Sequence, residues 1–133
     1  PAFMAPEHAL GEPLDGRADL YALACVAWWL LTGAPVFSAK SAAALVVCHL
    51  RDAPPALPAE RGPAALDAVL HRCLAKSPDD RYPDAAALAA ALQALAAELP
   101  PWSRAEAARW WADRQPVVHA SSSTVELAAT VPP

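Results

Sequence analysis

The placement of proline constrains this chain more than any other feature. Most of its 15 prolines fall in tight groups, at 54 to 63, 78 to 83, 100 to 101 and 132 to 133, and long alanine and leucine runs lie between the groups. Proline lacks a backbone N–H and its ring clashes with the preceding helical turn, so a helix interior excludes it and a helix boundary accepts it. Clustered prolines therefore mark joints between helices. About a quarter of the residues are alanine, with only 7% aromatic and 4 glycines, a mix that favours helices packed through small contacts over a sheet. The predicted fold class is all-α. At 133 residues and 56% hydrophobic, the chain holds enough apolar side chain for one packed domain.

Charge and cysteine narrow the partners. The net charge is −4 with only Lys40 and Lys76 as lysines, so no basic stripe exists to track phosphates, and nucleic acid is excluded as a partner. Cys25, Cys48 and Cys73 are far apart and form no CxxC. They read as buried thiols of a reducing, cytoplasmic compartment. Cys48 beside His49, and His71 two before Cys73, point to different faces of a helix and do not chelate, so no metal is expected. The apolar run from Leu20 to Val36 is interrupted by Gly33 and Pro35 and falls short of the ~20 residues that span a bilayer; no membrane contact is expected from this segment. The opening Pro1, where translation would place methionine, suggests a chain cut from something longer.

Capping residues and spacing predict the helices. Asp19 is expected to cap the first, which runs to Thr32 and stops at Gly33. Leu20, Leu23, Ala24, Cys25, Val26, Leu30 and Leu31 leave it no polar stripe, which places it at the centre of a larger protein. A second, amphipathic helix spans Ala42 to Arg51. Pro63 suits the first turn of a third, with Leu66, Val69, Leu70, Cys73 and Leu74 on one face. Asp84 caps a fourth carrying Leu88, Leu92, Leu95 and Leu99. Ser103 and Glu106 form a capping box for a fifth, which presents Trp110 and Trp111 before Pro116 and is expected to dock on the preceding helices. Residues 117 to 133, with the run Ser121 to Thr124, show no helical period and are expected to form a flexible tail.

Three ordered motifs carry a family resemblance. Residues 1 to 7, P-A-F-M-A-P-E, resemble the end of the activation segment of eukaryotic-like serine/threonine protein kinases, with Ala5-Pro6-Glu7 as the A-P-E motif. Arg17 to Val26, then Leu30 to Gly33 and Pro35 to Phe37, are similar to that family's D-x-Y-S-L-G-C-V, L-L-T-G and P-x-F segments. Arg72 to Pro83, R-C-L-A-K-S-P-D-D-R-Y-P, is similar to its R-C-L-x-K-x-P-x-x-R-P segment. The alanine-rich, lysine-poor style suits a bacterial member. The resemblance covers residues 1 to about 97 and implies 1–99 as a partial kinase domain with four main helices; past it, 100–116 read as a tryptophan-rich helical extension and 117–133 as the tail.

The glycine-rich loop, the ATP-contacting lysine, the H-R-D catalytic loop and the D-F-G metal ligand have no match in the chain. The resemblance therefore implies a parent that uses ATP and Mg²⁺ to phosphorylate protein substrates, and a piece that holds no cofactor, supplies no catalytic residue and partners the rest of the kinase domain. Glu7 and Arg81 match the family's structural ion pair, the alternative being two solvated charges. Asp19 matches the aspartate that anchors the catalytic loop; within this chain only its capping role is open to it. Pro1, Phe3 and Met4 match the segment that cradles the substrate residue after the phosphoacceptor. Phe3 replaces the usual tyrosine, and Trp29 replaces an acidic residue whose family role includes selecting basic substrates; the paired change leaves room for a ring contact, or for Trp29 as core filling. Ala22 and Ala24 stand where serine and glycine are usual. Two other readings compete: a pseudokinase-type binding scaffold, and a non-kinase all-α interaction module.

Overall fold

A computed structural model describes residues 1–114, and the expected tail at 117–133 lies outside them. The chain divides into two units, residues 1–100 and residues 101 onward. The first contains α1 (Pro6–Leu10), α2 (Gly16–Thr32), α3 (Ala42–Arg51), α4 (Ala64–Cys73) and α5 (Ala85–Ala97), with short 3₁₀ turns at Ala59–Arg61 and Pro78–Asp80. The described part of the second contains α6 (Arg104–Ala112). Among the described residues the regular structure is entirely helical.

Helix α2 is the axis of the first unit and packs against α4 and α5, while α1 packs against α3. Leu20, Tyr21, Ala24, Cys25 and Trp28 repeat at helical spacing and are buried. They meet Leu70, Cys73 and Leu74 from α4 and its end, Leu88 from α5, and Val36, Phe37, Leu57 and Tyr82 from the connections. Glycine ends α2 because the chain turns there through the left-handed region, with Gly33 at φ 76°, a conformation costly for any residue with a Cβ. The sequence places α2 at the centre because it is apolar all round; within this chain one face is covered, and Leu23, Val26, Trp29 and Leu30 stand exposed on the other. Part of that face borders a small apolar groove lined by Leu23, Ala27, Leu66, Val69, Leu88 and Leu92. Leu92 lines this groove and remains exposed, and α5 ends before Leu99.

Asp19 does not cap α2. The cap is Asp15, whose backbone is extended (φ −132°, ψ −174°) and whose carboxylate accepts from the Arg17 N–H at 2.8 Å. Gly16 occupies the first helical position, where its conformational freedom costs little, and Asp19 lies within the first turn near the positive end of the helix. Pro63 likewise occupies the cap position of α4, one residue before the first turn. Helix α1 was not expected, although proline at its start and left-handed Gly11 at its end bracket it; five residues are too few to show a period.

In α6 the Ser103 hydroxyl accepts from the Glu106 N–H at 3.1 Å, and the Glu106 carboxylate accepts from the Ser103 N–H at 2.7 Å, closing the capping box. Trp110 and Trp111 meet edge-on, and the Arg114 guanidinium lies 4.3 Å above the Trp110 ring.

Candidate functional site

Arg81 follows the 3₁₀ turn between α4 and α5, and its guanidinium has all five N–H groups engaged. Nη1 and Nη2 donate to the two oxygens of Glu7, each at 2.7 Å. The remaining donors reach backbone carbonyls: Nη1 to Arg17 at 2.9 Å, Nη2 to Lys76 at 3.1 Å and Nε to Ala75 at 2.9 Å. One side chain thus ties α1, the first turn of α2 and the α4–α5 connection together. The Tyr21 ring covers one face of the guanidinium at 4.9 Å. Arg81 is 2% exposed and Glu7 4%, so neither has water to fall back on. Burial pushes the Glu7 carboxyl up, but the Arg81 hydrogen bonds, its own backbone N–H and the Arg81 charge outweigh this and hold it below the usual carboxylate range.

Beside this pair lies a second buried polar group. The Tyr21 hydroxyl is 2.9 Å from His49 Nδ1, the Phe37 ring meets the imidazole edge-on at 5.0 Å, and Lys76 Nζ donates to the His49 carbonyl at 2.8 Å. The ammonium also sits 4.6 Å above the Phe37 ring. Burial lowers the Lys76 pKa and raises that of Tyr21. His49 lies on an amphipathic helix whose period does not single it out, and no sequence motif marks Tyr21 or Lys76 as partners of a buried site. A tyrosine inside an otherwise apolar helix, and one of two lysines beside the R-C-L segment, were the available signals.

At the surface, Arg17 grips the Asp15 carboxylate with Nε and Nη2 and reaches Asp79 at 2.7 Å, clipping the start of α2 to the same connection. His71 lies against the Asp67 and Pro54 carbonyls.

The remaining sequence-derived residues are not gathered into this cluster. Pro1 and Phe3 are exposed, Met4 is partly buried, and a turn joins them through the Met4 N–H to the Pro1 carbonyl at 3.1 Å. Trp29 is half exposed and Trp28 takes the core position, so Trp29 does not fill the core of this chain. Among the described residues the ring pairs involve Tyr21, Phe37, His49, Trp110 and Trp111, and none joins Phe3 to Trp29. Asp19 is exposed on α2. Both Glu7 oxygens are occupied by Arg81, and among the described residues no three His, Cys, Asp or Glu side chains converge. The described residues do not fit a Mg²⁺·nucleotide site.

No family model matches the chain. Individual proteins do. It is 50% identical over 102 residues to the serine/threonine-protein kinase Pkn1 of Myxococcus xanthus, an alignment covering 74% of this chain and 14% of that protein. It is 47% identical over 83 residues to PknF of Mycobacterium tuberculosis, covering 61% and 17%. It is 43% identical over 94 residues to PknB of Mycolicibacterium smegmatis, covering 68% and 15%. The chain thus spans about a seventh of the length of these relatives. With an all-helical fold and the A-P-E glutamate bound to the arginine of the third motif, it belongs to the bacterial serine/threonine protein kinases as a segment of their helical C-terminal lobe.

Proposed function

We propose that the protein containing this chain is a kinase that transfers the γ-phosphoryl group of ATP·Mg²⁺ to serine or threonine hydroxyls of protein substrates. This chain supplies the scaffold under the substrate segment. The observation that carries the reading is the Glu7–Arg81 pair, which joins two of the three motifs that resemble the kinase family. Pro1, Phe3 and Met4 precede that anchor directly and, on the resemblance, form the wall that seats the residue after the phosphoacceptor. Trp29 in place of an acidic residue removes a carboxylate that would attract a basic substrate side chain, so the parent is expected not to favour basic residues ahead of the phosphosite. The rest of the kinase domain is the partner of the exposed α2 face, and cytoplasmic placement follows from the reading; no helix among the described residues is long and apolar enough to cross a membrane.

Two assays test it together. The full-length protein should transfer labelled γ-phosphate to a generic protein substrate, and the isolated chain should give no saturable heat with ATP·Mg²⁺. A folded full-length protein that transfers nothing would favour the pseudokinase scaffold. Micromolar ATP binding by the isolated chain would overturn the assignment of parts.

A further inference from the structure

The connection from α3 to α4 is rich in proline, which has no backbone N–H to donate, so side chains of α4 do much of the work of holding it. Leu57 is buried, and its N–H donates to the Asp67 carboxylate at 2.8 Å. Just before it, the Pro54 carbonyl lies 3.2 Å from His71 Nε2, one turn further along α4. The other ring nitrogen, Nδ1, is 3.0 Å from the Asp67 carbonyl and 3.0 Å from its carboxylate Oδ1. All three oxygens facing the imidazole can only accept. A neutral ring has one N–H and one lone pair, so whichever nitrogen lacks the proton aims its lone pair at oxygen. Were that nitrogen Nδ1, it would face two oxygens, one of them charged. A neutral ring therefore keeps Nδ1–H and turns a bare Nε2 toward Pro54. The charged ring has two donors and suits every contact.

We propose that His71 is a proton-operated clasp on this connection: with both ring nitrogens protonated it holds Pro54 against α4, and when Nε2 loses its proton the Pro54 contact opens, leaving the Leu57 tie to hold the connection alone. Asp67 serves both halves of the device, accepting from Leu57 and fixing the ring through Nδ1. It is also the titratable group that faces the ring. The connection brings the Pro54 carbonyl there, while α2 and α5 border α4 through Leu66, Val69, Leu70 and Cys73, a face that residues 67 and 71 do not share. The neighbouring Arg72 is engaged elsewhere, its guanidinium 4.2 Å above the Tyr82 ring. Release loosens the joint between α3, which packs on α1, and the core that α4 forms with α2 and α5. The sign is the reverse of that at His49, where burial favours the neutral ring: the clasp is closed at acid pH and opens as the pH rises. It does not depend on the kinase reading.

Hydrogen exchange in the full-length protein, with the histidine ring nitrogens followed by nitrogen-15 NMR, tests this. The reporters are the Asp52 and Leu57 amides, which flank Pro54 and donate to the Cys48 carbonyl and to Asp67. Their protection, corrected for the intrinsic exchange rate, should fall about tenfold between pH 5.5 and pH 8, the worth of one hydrogen bond to a charged group. The fall should track loss of the proton from His71 Nε2. In H71Q, whose amide donates without titrating, it should be absent; the His49 effect, being opposite in sign, cannot imitate it. An equal fall in wild type and H71Q, or none in either, would overturn the clasp. If H71Q fails to fold, the wild-type ring decides. Protection lost together with the Nε2 proton supports the clasp, and full protection of both amides around a His71 ring that has lost that proton would overturn it.

Discussion

Glu7 and Arg81 lie 74 positions apart and meet through two parallel hydrogen bonds of 2.7 Å, with every remaining guanidinium donor spent on a backbone carbonyl. Neither partner is replaceable alone. Taking one away strands the other's charge in a site closed to water, which costs about 3–5 kcal/mol. E7A and R81A in the full-length protein should each lower the denaturant midpoint by that order, and the double mutant should be little worse than either. R81K should lose most of the stabilisation too, because an ammonium lacks the planar fork. Additive losses in the cycle would show that the residues act independently.

The same carboxylate sets an acid limit. Its pKa is lower folded than unfolded, so the unfolded state takes up the proton first and the pair's contribution is full only above the unfolded value of about 4.3. It should fade as the pH falls from there through the folded value. The stability difference between wild type and E7Q, followed by denaturation from pH 7 to pH 3, should narrow over that range. A constant gap would mean that Glu7 does not titrate with folding. Buried His49 acts in the same sense at higher pH: its pKa is lowered by burial, so stability is complete above about 6.5 and declines below it.

These two sites were not equally legible in the sequence. Glu7 and Arg81 sit in motifs that mark them individually, and Ser41, Asp84 and Ser103 announce their helices because an N-cap is a local event within three residues. The start of α2 is hard to place from sequence because Asp15 precedes a glycine, which reads as a break, whereas Asp19 precedes an unbroken apolar run. Which side of α2 is covered is not encoded in its period at all: Leu23 and Leu30 are as apolar as Leu20, and only the arrival of α4 and α5 distinguishes them. The Tyr21–His49 contact joins residues 28 apart, and no local pattern in either helix points to the other.

The corrected cap gives a direct comparison of two aspartates four residues apart. Asp15 accepts from the Arg17 N–H and is also held by the Arg17 side chain, whereas Asp19 is an exposed first-turn charge. D15A should therefore lower the melting temperature more than D19A in the isolated chain, where only the capping role bears on Asp19. D15N should keep most of the wild-type value, since an amide oxygen still caps. Thermal melts of the three variants check the ranking, and a D19A loss as large as that of D15A would restore Asp19 as the cap.

The cysteines report on the same core from another side. Cys25 on α2 and Cys73 on α4 are buried, and burial pushes their thiols up to about 12 and about 11. The thiolate is the reactive form, so both should be silent toward an alkylating reagent near pH 8. Cys48 on α3 is only partly buried, though its hydrogen bond to Asp52, then burial, raises its pKa as well. It should label first, more slowly than a free thiol, and D52N should quicken it by removing the charge that disfavours the thiolate. Mass spectrometry of the labelled peptides should then show one modified cysteine in the native protein, with Cys25 and Cys73 appearing together as denaturant opens the α2–α4 contact. Labelling of Cys25 as fast as Cys48 in native conditions would mean that this contact opens readily, and the core described for α2 would be wrong.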